Sequence, residues 1–248
     1  MKTSHIYLFV LSMVFQSCGP VMYSNVGQNT PLFKEKGEFT GNAGFAYSGP
    51  SEDAGGVGLQ AAYAVSDHWA VISSFYSMGD SDPEGWRGRG SYFEIGGGYF
   101  GYNNNKRLVY ELLGGVGFGS IKNNSNTENR FVDLSFTKPF IQPSIGYSVE
   151  HFEIAFTPRI GAASFGSISY NLNPEHKESL DQWINDYDGN FFLEPGITLR
   201  GGMKNVKLHL QYVFSTFGDE AYSNTGFFST GLQFLISEKR YLSAPSGQ

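Results

Sequence analysis

The sequence predicts an all-β fold: a single antiparallel transmembrane barrel of about ten strands, with eight as the alternative count. Three observations carry this reading. In residues 206–217, Val206, Leu208, Leu210, Tyr212 and Phe214 fall on one parity, and Lys207, His209, Gln211, Val213 and Ser215 on the other. Strand side chains alternate between faces, so this is one apolar face and one mostly polar face. It is about as long as the roughly 9–11 residues a tilted membrane strand needs. The gaps between such segments also alternate, short after even-numbered strands and mostly longer after odd-numbered ones. Outer-membrane barrels have short periplasmic turns and long external loops. Finally, Gly is 32 of 248 residues and aromatics are 16%. Charged residues are also only 16%, against about 25% in ordinary soluble domains.

Composition excludes several classes. A net charge of -6, a pI near 5.4 and no basic stripe argue against a nucleic-acid partner. No uniformly apolar run reaches 18 residues, which argues against spanning helices. The mean hydropathy of -0.25 is too polar for a helical membrane protein, yet suits a barrel in which every second strand residue faces lipid.

Taken in order, residues 1–18 have the layout of a secretory signal peptide: Lys2, then an apolar run from Ile6 to Phe15. The run ends at Phe15-Gln16-Ser17-Cys18, which resembles a bacterial lipobox. That resemblance implies lipidation of Cys18, the single cysteine. Gln16 and Phe15 depart from the pattern, and the other reading is an ordinary signal peptide with a chance cysteine. Residues 19–36 show no sustained alternation and read as a periplasmic tether, with folding back to plug one barrel end as a variant. Strands are expected at 38–48, 55–65, 69–77, 91–102, 108–121, 136–149, 152–168, 191–201, 206–217 and 226–236, so the barrel occupies 37–240, before a polar tail at 241–248. The longest gap, 169–189, contains Pro174 and the helically spaced Leu180, Trp183 and Ile184, which predicts a short loop helix.

In the last strand, Ser229, Gly231, Phe234 and Ile236 resemble the C-terminal recognition signal of outer-membrane barrel proteins. The polar tail beyond it departs from that pattern. Across residues 37–240 the layout resembles the small bacterial outer-membrane β-barrel proteins, the OmpA- and porin-like barrels, some of which carry lipoprotein-type signals. The resemblance implies residence in the outer membrane with a periplasmic N-terminus, and contact with its lipid and with the barrel-assembly machinery. It implies no cofactor.

If Leu208 and Leu210 face lipid, the opposite parity lines the lumen: Gln60, Glu94, Glu111, Gln142, Glu153, Arg159, Glu194, Arg200, His209, Gln211 and Gln233. Arg near the bilayer midplane on the lipid face would cost about 2–4 kcal/mol, so the charges are expected inside. Glu94, Glu111, Arg159, Glu194 and Arg200 form the expected network, with Arg159 and Glu194 paired on neighbouring strands. Such a network plugs the barrel or lines a narrow pore for small solutes. A third reading is a soluble, lipid-anchored barrel binding a small ligand, in which the parities invert.

Catalysis is not expected: the lipid-modifying barrel enzymes need a His beside a Ser or carboxylate near the outer leaflet. Of the histidines, His68 and His151 lie at short turns, His209 lies just above one, and only His176 lies at the external end. No metal-ligand spacing is present. Exposed Trp86, Arg87, Trp183 and Tyr187 in the long loops are candidates for contacting a protein or glycan, since aromatics with Arg are typical of binding surfaces.

Overall fold

The computed structural model describes residues 21–48, 54–80, 85–218 and 223–237. Wall strands are β2 (Glu38–Ser48), β3 (Ala54–Ala64), β4 (Trp69–Gly79), β5 (Trp86–Tyr102), β6 (Leu108–Ser125), β7 (Phe131–Ser148), β8 (Phe152–Ala162), β10 (Phe191–Gly202), β11 (Val206–Phe214) and β13 (Gly226–Ser237). Each pairs antiparallel with its neighbour, β13 pairs β2, and β6 pairs β7, so ten strands close into a barrel. Closure leaves no free edge in the wall, which is the condition for a sheet to stand in hydrocarbon.

The remaining strands lie off the wall. β9 (Ser164–Asn171) pairs only with β7. Residues 152–168, expected as one strand, are divided at Ala163, whose N–H bonds to Asn190 and whose carbonyl accepts from Gly189. Those bonds end the run of contacts with the β10 side, and beyond them β9 continues as a flap alongside β7. Two short strands, β1 (Tyr23–Ser24) and β12 (Ser223–Asn224), pair in parallel.

β5, β6 and β7 run to 17 or 18 residues, longer than a bilayer requires. Their upper ends include Trp86-Arg87-Gly88-Arg89 and Lys122–Ser125, read from sequence as loop. The misreading has a physical cause: a strand that rises above the lipid has no apolar face to announce it. The expected loop helix is present as α1 (Pro174–Tyr187), with the Asn173 side chain accepting from the His176 N–H. Pro174 at its start lacks only an N–H that would have no helical partner.

The two faces of the wall are opposite in chemistry. Leu59, Ile95, Ile141, Ile160 and Leu208 are each at least half exposed on the outside, whereas Glu94, Arg159 and Glu194 are fully buried within. A soluble barrel would show the reverse, so the inverted, ligand-filled reading does not hold. Trp69, packed edge-on to Tyr99 near the short turns, and Tyr47, Tyr212 and Phe228 near the long loops suit the two membrane interfaces.

Ile197→Arg places a charge mid-strand on the outer face. We expect it to lower the free energy of folding into vesicles by about 2–4 kcal/mol. An unchanged urea midpoint would show that this face does not meet lipid.

Candidate functional site

The lumen is occupied by the chain's own N-terminal segment. Met22, Tyr23, Asn25, Val26, Gln28, Asn29, Thr30, Leu32 and Phe33 are all buried inside the wall. Residues 21–36 are therefore not a tether outside the barrel. The variant in which the segment folds back as a plug is the one that fits, though it fills the lumen and not one end alone: a peptide enclosed on every side has no exposed face to make polar.

The segment crosses the barrel from end to end. At the long-loop mouth the Asn123 side chain donates to the Val21 carbonyl (2.9 Å), and Asn25 donates to the carbonyls of Val213 and Thr225. In the middle, Gln28 donates to the Glu194 carbonyl (2.6 Å), while Gln211 both accepts from Gln28 N–H and donates to its carbonyl. The Asn29 carbonyl accepts from Gln142, and its side chain donates to the Ala61 and Ser73 carbonyls. At the short-turn end, Lys34 Nζ donates to the Ser148 carbonyl and Glu38 accepts from Lys34 N–H.

The fit is close. A Cβ at Gly27 would lie 2.3 Å from the Tyr76 hydroxyl and 2.9 Å from Gln211 Oε1, so a larger residue there would have to displace these side chains. Leu32 holds a left-handed φ of 57°, uncommon for a bulky residue, and its N–H donates to Glu111 Oε1 at 2.8 Å.

Charges in the lumen form layers. Among the described residues, the buried charged side chains inside the wall are the carboxylates Glu94, Glu111, Glu153 and Glu194 and the cations Lys138, Arg159, Arg200 and Lys207, four of each sign, with Glu38 at the short-turn mouth. In the upper layer Arg159 donates to both Glu94 oxygens (3.0 and 3.3 Å) and to Gln142 Oε1. Glu94 also accepts from Ser74 and Tyr92. Beside it, Lys138 Nζ and the Tyr23 hydroxyl both donate to Glu194 Oε1, at 2.6 and 2.7 Å. The lower layer joins Arg200 and Lys207 to Glu153; Arg200 also donates to His209 Nδ1 and to the Thr30 carbonyl. Glu111 is held by hydrogen bonds from Leu32 N–H and Ser144.

Glu94, Glu111, Arg159, Glu194 and Arg200 thus all point inward. Arg159 and Glu194 do face one another across β8 and β10, but their bonds go elsewhere, to Glu94 and to Lys138. Sequence position gives strand neighbours; a lumen also brings together side chains from opposite walls. Lys138 and Lys207 were overlooked although each shares the inward parity of its neighbours, Gln142 and His209.

The long-loop mouth carries a cap. Trp183 is 3% exposed, beneath α1 against Phe165 and Tyr187. Tyr187 packs on Phe217, which packs at a tilt on Tyr23 of the plug. Trp183 is therefore a lid residue rather than a presented surface, and Tyr187 is half-buried; both were read as exposed because an amphipathic loop helix does not reveal what lies under it. Arg87 is exposed, and Trp86 is half-buried beside a small open cup of about 80 Å³ lined also by Ser24, Ser48, Met78 and Asn123. In β13, Ser229 and Gly231 are part-buried and Phe234 and Ile236 face outward. Cys18 and the tail at 241–248 lie outside the described residues.

No protein-family model matches this chain, and no curated protein does. Among solved structures, the outer membrane protease OmpT from Escherichia coli is similar at 10% identity and a TM-score of 0.49, over 80% of this chain and 97% of that one. The KdgM porin is similar at 11% identity and TM-score 0.39, covering 79% and 98%. Ail, the attachment invasion locus protein of Yersinia pestis, is similar at 16% identity and TM-score 0.33, covering 81% and 99%. The likeness is one of fold. The ten-stranded closure, the apolar outer face and the charged lumen are in themselves those of a transmembrane β-barrel of the outer-membrane type.

Arg159→Leu leaves Glu94 buried without its cation and is expected to cost about 3–5 kcal/mol. Adding Glu94→Leu should recover part of that loss, whereas adding Glu194→Gln should not. Unfolding in detergent by denaturant measures both; recovery with Glu194→Gln instead would reassign the pair.

Proposed function

We propose that this protein is a self-sealed outer-membrane barrel that works at the cell surface through its long-loop end, and not by catalysis or by passing solutes. The observation that carries this reading is the plug: residues 22–33 fill the lumen from mouth to mouth and bond to groups that would otherwise line a channel. Short turns at one end and long loops with α1 at the other support the orientation, long loops outside. The presented surface is then the β7–β9 flap, the exposed face of α1 and the cup beside Trp86, suited to a protein or glycan partner.

The histidines support a non-catalytic reading. His209 bonds Arg200 within the lumen, and His68 and His151 bond backbone carbonyls at short turns. His176 is exposed in the first turn of α1, beside Arg130. The plug also bears on the anchor. Its N-terminal end, Val21, stands at the long-loop mouth only three positions after Cys18. Under this orientation, acylation of Cys18 would attach the protein at its external side rather than to the periplasmic leaflet.

Two measurements test the reading. In planar bilayers the native protein is expected to carry no steady current. Replacing residues 22–33 by a Gly-Ser stretch of equal length should open an ion path, provided the unboiled protein still migrates as a folded band. Steady current through the native protein would contradict the plug. In a Cys18→Ser background, a membrane-impermeant maleimide on intact cells should label Gln182→Cys on α1 and spare Lys204→Cys in a short turn; the opposite pattern would invert the barrel.

A further inference from the structure

Above the membrane belt, the outer face of the wall changes character on one side only. Across β4, β5 and β6, Phe75, Phe93 and Phe118 lie in one register row, all facing outward. Two residues further toward the long loops the row reads Ser77, Ser91, Ser120 and, on β7, Ser135. Two further still it reads Gly79, Arg89, Lys122 and Asp133. Arg87 follows, opposite Asn124. At about 3.3 Å per residue and a tilt of 35–45°, the cation row stands roughly 10 Å above the phenylalanines. That is the depth at which hydrocarbon has given way to headgroups. On the other side of the barrel, the upper outward row is Tyr47, Phe228 and Tyr212, without a cation.

Arg89 and Lys122 are directly opposed on neighbouring strands, and like charges so placed repel. Arg87, Arg89 and Lys122 are exposed, and among the described residues none is in an ion pair or a side-chain hydrogen bond. Among the described residues of these outward rows, Asp133, opposite Lys122, is the acid, so cations outnumber carboxylates in them. Ser135 is already bonded to Ser167 of β9, which leaves the hydroxyls of Ser77, Ser91 and Ser120 to face outward below the cations. A guanidinium, an ammonium and hydroxyls above an apolar wall match a phosphate ester carried on acyl chains, because guanidinium and ammonium bind phosphate oxygens strongly.

We propose that the outer face of β4–β6 at the long-loop end binds the phosphate-bearing headgroup of an outer-leaflet lipid, with its acyl chains along Phe75, Phe93 and Phe118. Assignment to the outer leaflet rests on the orientation proposed above; the site itself does not. Folded protein in neutral detergent is mixed with bicelles of phosphatidylcholine containing a bisphosphorylated, acylated glucosamine disaccharide, and retained lipid is counted by native mass spectrometry. The native protein should retain it. Arg89→Ser/Lys122→Ser, exposed changes checked by unboiled gel migration, should bind about tenfold or more weakly, and Asp133→Asn should bind more tightly. Removing the lipid's phosphates should weaken binding to the native protein by a similar factor. Unchanged retention by the double variant would overturn the site, and so would inorganic phosphate competing at the lipid's own concentration, which would mark a free-phosphate site. Reversed labelling of Gln182→Cys and Lys204→Cys would overturn the leaflet alone, so the two failures are distinguishable.

Discussion

Charge inside a narrow barrel must find its partners within the protein, because unpaired buried charge is prohibitively costly. The rest of the structure depends on that constraint. Among the described residues four carboxylates and four cations meet in the lumen, and neither layer is complete on the wall alone. Tyr23 supplies a donor to Glu194, Leu32 a donor to Glu111, and Thr30 an acceptor to Arg200. The N-terminal segment is thus part of the electrostatic interior rather than an object lodged in it. In turn the wall satisfies the backbone of a peptide that forms almost no regular structure of its own.

Inside and outside follow from one sequence rule applied to both parities of each strand. Outward residues make an apolar belt bounded below by Trp69 and Tyr99, and above by aromatics on one side and by serines and cations on the other. Inward residues make the bonded lumen. Packing at the long-loop mouth then joins the plug to the surface: Tyr23 meets Phe217, Phe217 meets Tyr187, and Tyr187 meets Trp183 of the lid. A partner that displaced α1 would act directly on the upper end of the plug. The long-loop end and the lumen are thus joined by one continuous run of aromatic contacts.

Much of this was legible in the sequence. Period-two alternation gave the strands, and the cost of charge in lipid assigned Glu94, Arg159 and Glu194 inward, where they are buried. Three things were not legible. Arg159 and Glu194 are neighbours in register, but a side chain reaching across the lumen meets whatever the closed wall brings opposite, and strand order alone does not state that. Residues 22–33 carry no periodicity because they are enclosed on all sides, so a linker and a plug of one barrel end were both open readings and the full-length threading was not visible. Trp183 looks exposed in a polar loop because its burial depends on Phe165 and on the plug beneath it. In each case the deciding contact lies between segments distant in sequence.

The most direct test of the central claim is a cross-link between plug and wall. Thr30 in the segment and Thr157 on β8 place their hydroxyls 3.2 Å apart. In a Cys18→Ser background, Thr30→Cys with Thr157→Cys should form a disulfide on mild oxidation of the folded barrel, and that bond should resist reductant until the barrel is unfolded. Two free thiols, each open to maleimide in the folded protein, would mean that the lumen is not threaded by this segment.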